Sequence, residues 1–273
     1  MKRYFISLIA TLFIVCGFNS SIFAEENRID YSSLYNQAIQ EGVLDRNTVS
    51  LEQWTQQNKE EFYPVYVEGI QEKVFDQPLT YAEWLKLNNY GQAPKTNSDT
   101  LEDVTLQYAT WKGVSIKAGD IFITNAAMSK GILGHAAIAN GDNYILDMPG
   151  YGEGNRQSRA TDWLNEYSQN GRWIKVYRVK DQALARQVAS YADRNFYSST
   201  GSATRNIKLD YNLSPHLYSK NPTYCSKLVF QAYYYGSGSK PVMKSPSGYV
   251  LPYGLVDTFN DSYKPSLVKQ FNG

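Results

Sequence analysis

The chain opens on an apolar block. Lys2 and Arg3 precede an almost unbroken hydrophobic run from Ile6 to Val15, and Asn19, Ser20, Ser21 and Ala24 follow before Glu25 and Glu26. A basic start, a short apolar stretch and a small residue ahead of acids are the pattern of a secretory leader, with cleavage expected near Ala24. The run is short for a bilayer span. Cys16 lies inside it, but Val15 stands where a lipoprotein anchor signal needs a small residue. From 25 to 91 the apolar positions recur at helical spacing. Two stretches resemble each other: Gly42-Val43-Leu44-Asp45 leads to Ser50-Leu51-Glu52-Gln53-Trp54, and Lys73-Val74-Phe75-Asp76 leads to Thr80-Tyr81-Ala82-Glu83-Trp84. In each a Ser or Thr stands three residues ahead of Gln or Glu, the spacing of a capping box, so each is predicted to open a helix.

Residues 92–104 are polar, contain Pro94 and read as a linker. The pattern then changes to period two, and 105–273 reads as the main domain. Ile121-Phe122-Ile123-Thr124 and His135-Ala136-Ala137-Ile138-Ala139 are predicted strands, and the turn residues Asn140 to Asn143 lead to a returning strand, Tyr144-Ile145-Leu146-Asp147. Trp173 to Val179 is a further strand. Thr161-Asp162-Trp163-Leu164 reads as a short capped helix, and Asp181 caps a longer one over about 183–196. Asn221-Pro222-Thr223 then precedes a helix in which Cys225, Leu228, Val229 and Ala232 share one face. The whole is an α+β pattern with an N-terminal helical region.

Composition narrows the function. In 273 residues, 42% are hydrophobic and 19% charged, enough apolar material for a core without disulfides. Loss of the leader removes Lys2 and Arg3 and takes the formal charge from +1 to −1. Nothing in that balance points to nucleic acid or to an anionic membrane as partner. No second long apolar run follows, so the mature chain is expected to lack an integral membrane segment and to act as a monomer. Aromatic residues make up 14%, with 23 tyrosines, most of them suited to half-buried strand positions. The chain has two cysteines; once the leader leaves, Cys225 has no intramolecular partner, which points to a reactive thiol or to an inert buried one.

The position of Cys225 favours the reactive reading. The first turn of a helix presents unpaired N–H groups and partial positive charge, which favour a thiolate. Those amides, at Cys225 and Ser226, are also placed to hold an oxyanion. Downstream of the leader only His135 and His216 supply an imidazole. His135 begins a strand just after Gly134, whereas His216 lies in a polar, proline-containing loop, so His135 is the candidate base. Asp147, on the strand that returns after His135, is the candidate third member, able to orient and charge-stabilise the imidazole. The hairpin between them offers a parity test. A connection of three or five residues points both side chains to one face, and two or four points them apart. Zinc on the same three residues would lack the close ligand pairs, CxxC or HExxH, that such sites use. No metal and no cofactor are implied.

These residues resemble a known family. Gly119-Asp120-Ile121-Phe122-Ile123-Thr124-Asn125, Gly134-His135-Ala136-Ala137-Ile138 and Tyr224-Cys225-Ser226-Lys227-Leu228-Val229 are similar to the YiiX/YycO-type proteins, circularly permuted relatives of the NlpC-type cell-wall peptidases in which the histidine precedes the cysteine. The resemblance covers about residues 113–260. It implies a permuted papain-like domain, with an antiparallel sheet packed against the cysteine helix. By position it implies Cys225 as nucleophile, His135 as base and Asp147 as third residue where the family often has Glu. It also places Tyr211 near the substrate, and Tyr224 beside Ser226 in the oxyanion and substrate region. With export, the implied function is a secreted, cell-wall-associated cysteine hydrolase cleaving an amide in peptidoglycan peptides through a thioester. The alternatives are a lipid acyltransferase or deacylase of the same fold, and a non-catalytic secreted binding or toxin-like module.

Overall fold

A computed structural model describes residues 26, 28–75, 77–95, 110–111, 113–141 and 143–273. The expected leader and most of the expected linker lie outside the described residues. Helix α1 (Tyr31–Gln40) is capped by Asp30, and α2 (Leu51–Gln57) runs through a π turn at Asn58–Phe62 into α3 (Tyr63–Gln71). Helix α4 (Tyr81–Leu87) follows. Both capping boxes form: Ser50 accepts from the Gln53 amide and Thr80 from the Glu83 amide, and in each case the side chain of the third residue returns the bond. The two repeats also share their packing. Asn58 donates to the Trp54 carbonyl and Asn88 to the Trp84 carbonyl, at 2.7 and 2.8 Å. The Trp54 indole then donates to Tyr90 at the end of the second repeat, and the Trp84 indole donates to Gly131.

Gly131 lies in a turn between two strands of the central sheet. A small ribbon, β1 (Thr110–Trp111) with β2 (Val114–Ser115), precedes six antiparallel strands: β3 (Ile121–Ser129), β4 (Ile132–Gly141), β5 (Tyr144–Asp147), β6 (Arg156–Arg159), β7 (Trp173–Arg178) and β8 (Ser266–Asn272). Their spatial order is β6-β5-β4-β3-β7-β8. Period-two alternation sorts the sheet into two apolar faces. Phe122, Ala137, Ala139, Ile145 and Val176 pack on helix α5 (Ala160–Tyr167) through Trp163 and Leu164. Ile121, Ile123, Ala136, Ile138 and Leu146 join Leu184 and Val188 of helix α6 (Gln182–Phe196) and Leu228 and Val229 of helix α7 (Cys225–Gly236). That second cluster runs without a break into Trp54, Tyr66, Trp84 and Leu85 of the helical region.

The expected strands and helices form, with shifted ends: the strand expected from His135 starts at Ile132, the one expected to reach Val179 stops at Arg178, and α5 runs from Ala160 to Tyr167 without the side-chain cap expected for it. The small β1–β2 ribbon and two strands of the six-stranded sheet have no counterpart in the sequence pattern. Strand β6 (Arg-Gln-Ser-Arg) has no apolar alternation because it is the sheet edge, and β8 closes the opposite edge.

Candidate active site

Strand β4 ends at Gly141 and β5 begins at Tyr144, so two residues connect them. By the parity rule that connection alone would point His135 and Asp147 to opposite faces. A bulge intervenes: Gly141 pairs with Tyr144, but the register shifts before Ile138, which pairs with Leu146, and Ala137 pairs with Asp147. One extra residue on β4 restores the parity. Asp147 therefore stands opposite Ala137, two residues from His135 and on the same face.

The approach of β4 at this point depends on Gly134. Its φ is +77°, and a Cβ there would lie 2.3 Å from the Tyr253 ring and 2.7 Å from the Thr124 carbonyl oxygen. His135 follows at once, with 2% of its surface exposed. Its Nε2 lies 3.0 Å from Asp147 Oδ2, and Asp147 is fully buried. With Nε2 so engaged, Nδ1 is the nitrogen left for a second partner. Cys225, 1% exposed at the start of α7, lies close enough to act with Asp147 on the charge of the imidazole. Burial disfavours charge on His135, yet Asp147 and Cys225 together push its pKa up to about 9. Burial likewise opposes ionisation of Asp147, but His135 and Arg156 outweigh it and hold the carboxyl below its ordinary value.

Asp147 collects more than the histidine. Arg156 Nε reaches Oδ1 at 3.2 Å and Arg156 Nη2 reaches Oδ2 at 3.1 Å. The Trp163 indole donates to Oδ2 at 2.9 Å, and the Tyr167 hydroxyl lies 3.4 Å from the same oxygen. Tyr167 also stacks on the imidazole, with centroids 5.0 Å apart and planes 14° from parallel, and Trp163 stacks at 6.1 Å. The sequence pattern placed none of these three at the site. Trp163 had a signal, an aromatic on the helix expected over 161–164, and Tyr167 follows at i+4 beyond that expected end. Arg156 had none; it is found only because β6 pairs with β5 and sets Arg156 directly opposite Asp147.

The other expected site residues divide. Tyr211, half-buried, is near enough to Cys225 that burial and that neighbour together hold its phenol protonated well above the ordinary tyrosine value. Its ring meets Tyr151 edge-on at 6.4 Å. The Tyr224 hydroxyl accepts from the Val250 amide at 3.0 Å and so ties down the segment after the cysteine helix. Ser226 Oγ is buried with no partner among the described residues. No side chain caps α7 at its N-terminus, unlike α1, α2, α4 and α6, so its first-turn amides are not taken up by a cap. His216 is exposed on its loop, where its amide bonds Ser214. Among the described residues, no group of three or more His, Cys, Asp or Glu is arranged to hold a metal ion.

A buried thiol, an imidazole and a carboxylate in series, beside uncapped helix amides, form a set able to attack a carbonyl carbon. The family model for LnsA-like lipoprotein N-acylation proteins matches residues 89–271, a span that contains every member of the set. The chain belongs to the LnsA-like lipoprotein N-acylation family. That family falls in the fold group of the YiiX- and NlpC-like cysteine hydrolases. The LnsA-like chain is also 64% identical over 271 residues to a Bacillus thuringiensis protein described as an uncharacterized 30.3 kDa protein, covering 99% of this chain and all of the relative. No solved structure matches. Membership makes this an acyltransferase- or hydrolase-like enzyme and favours the acyl-transfer alternative over the peptidoglycan amidase expected from the sequence.

Proposed function

We propose that this chain is a cysteine acyltransferase that moves a fatty acyl group from a lipid ester to an amine, the amine being the N-terminus of an exported lipoprotein. In the first half-reaction the His135 imidazolium holds the proton that Cys225 gives up, and the sulfur attacks the ester carbonyl. Helix α7 amides hold the oxyanion, the C–O bond breaks, and the imidazolium returns its proton to the departing alkoxide. The product is a thioester and an alcohol. In the second, the amine attacks the thioester and His135 accepts its proton. The C–S bond breaks, the amide leaves and the thiol is restored. Asp147 keeps the imidazole oriented throughout.

The reading is carried by the convergence of Cys225, His135 and Asp147 in a chain whose family is described by lipoprotein N-acylation. Burial supports transfer over hydrolysis, since a thioester in a site closed to bulk water survives until a bound amine reaches it. The apolar leader supports action outside the cell, near the membrane that holds both substrates. Among the described residues no helix is long and apolar enough to cross a membrane.

The test is incubation of the mature protein with phospholipid vesicles carrying a labelled acyl chain and a lipopeptide with a free N-terminal amine. Label should appear on the peptide as an amide. It should also appear on the protein as a hydroxylamine-sensitive thioester, and Cys225→Ala should lose both. Release of free fatty acid alone would make the enzyme a deacylase. Cleavage of muropeptides with no lipid turnover would restore the cell-wall amidase reading.

A further inference from the structure

The Asp147 carboxylate is more heavily held than a histidine partner requires. It is fully buried, and both oxygens are engaged by the Arg156 guanidinium in a fork, at 3.2 and 3.1 Å, while His135 and the Trp163 indole share Oδ2 at 3.0 and 2.9 Å. Arg156 is no core residue. Its side chain is 32% exposed, and its outer edge meets Glu166, itself 52% exposed, at 3.3 Å. It comes from the edge strand β6, in direct cross-strand register with Asp147. We propose that Arg156 is a positioning residue for the acyl transfer: it clamps Asp147 from the edge strand so that one oxygen stays aimed at His135 and the carboxylate stays charged. This inference rests on the proposed Cys225–His135–Asp147 chemistry.

Three features support it. A planar guanidinium fixes the plane of a carboxylate, which a lysine ammonium does not. Two cationic partners, His135 and then Arg156, oppose the burial that favours a neutral Asp147, so loss of Arg156 would shift the carboxyl towards its neutral form, which stabilises an imidazolium less. And the indole and phenol donors on Oδ2 are themselves stacked around the histidine, so rotation of the carboxylate would break their bonds too. Glu166 offers a control, because it touches the outer side of Arg156 and none of the reacting groups.

The experiment is iodoacetamide alkylation of Cys225, followed by mass spectrometry from pH 4 to 9, in wild type and in Arg156→Met, Arg156→Lys, Glu166→Gln and His135→Ala. Circular dichroism melts of each accompany it. In the wild type, labelling should be faster than in His135→Ala; if the two coincide, the thiol–imidazole pair fails first, and the positioning role of Arg156 fails with it. Given an active wild type, Arg156→Met should move the acid limb of the profile up by about one pH unit and lower the plateau rate about tenfold. Arg156→Lys should keep the limb near its wild-type position but recover only part of the rate, and Glu166→Gln should match the wild type. If folded Arg156→Met keeps both limb and plateau, the inference is overturned. Should Arg156→Met not fold, Arg156→Lys decides: a plateau equal to the wild type would overturn the inference, and a reduced one with an unmoved melt would sustain it.

Discussion

At the scale of single residues, the site turns on one imidazole whose charge is set by its neighbours. His135 is raised to about 9, so the fold favours its protonated form. The stability this contributes is fully present below the unfolded imidazole value of about 6.5 and is lost as pH rises through 9. Asp147 works in the opposite sense. Its lowered value means a contribution present above about pH 4, the unfolded carboxyl value, and lost as pH falls through the folded one. Together they set a window of greatest stability between about pH 4 and 6.5. Urea melts across pH should show wild-type stability falling between pH 6.5 and 9 by up to about 3 kcal/mol, with much of that slope absent from His135→Gln. A wild-type curve as flat as that of the variant would show that the imidazole carries no extra charge stabilisation.

At the scale of elements, local chemistry was readable and pairing was not. The Ser50 and Thr80 caps, the Asp181 cap of α6 and the first turn of α7 depend on residues three or four apart, and the structure forms each of them. The alternation in β3, β4 and β7 was equally local. What escaped was register. The bulge between Ile138 and Gly141 decides whether His135 and Asp147 share a face, and nothing in Ala139-Asn140-Gly141 announces it. Arg156 escaped for the same reason: its role exists only once the polar edge strand β6 pairs with β5. Gly134 lies between these cases. A glycine directly ahead of the candidate histidine was visible in the sequence, and the structure supplies the two groups that approach it, the Tyr253 ring and the Thr124 carbonyl. Gly134→Ala would meet both, in a backbone region that β-carbons disfavour. A loss of about 2–4 kcal/mol is expected in urea melts. Adding Tyr253→Leu should recover part of this, because the ring contact is relieved while the backbone strain and the carbonyl contact remain. Full recovery would mean that the ring alone excludes a side chain there, and no loss in the single variant would mean that β4 shifts freely.

At the scale of the whole molecule, the helical region is built into the strand that bears the histidine. The tip of the β3–β4 hairpin is held from three directions: the Trp84 indole and the Val65 carbonyl both bond Gly131, and Glu68 bonds the Lys130 amide. Gly69 and Gly131 meet so closely that a Cβ on the former would lie 2.6 Å from the Cα of the latter. Asn88, from the second helical repeat, accepts from the Leu133 amide, two residues before His135. The helices and the sheet thus share one apolar cluster and a set of backbone bonds, so they should melt together. Trp84 is fully buried, and Trp84→Ala removes about 3–5 kcal/mol by the usual cost of emptying an aromatic site, along with the bond to Gly131. In thermal melts followed both by far-ultraviolet circular dichroism and by hydrogen exchange of the β4 amides, the two signals should stay superimposed while both midpoints fall. If helical signal were lost first, with protection of the β4 amides unchanged, the helices would be a separable layer and the placement of His135 would owe nothing to them. Coincident transitions would instead make the N-terminal helices part of what holds β4, and hence the imidazole, in place.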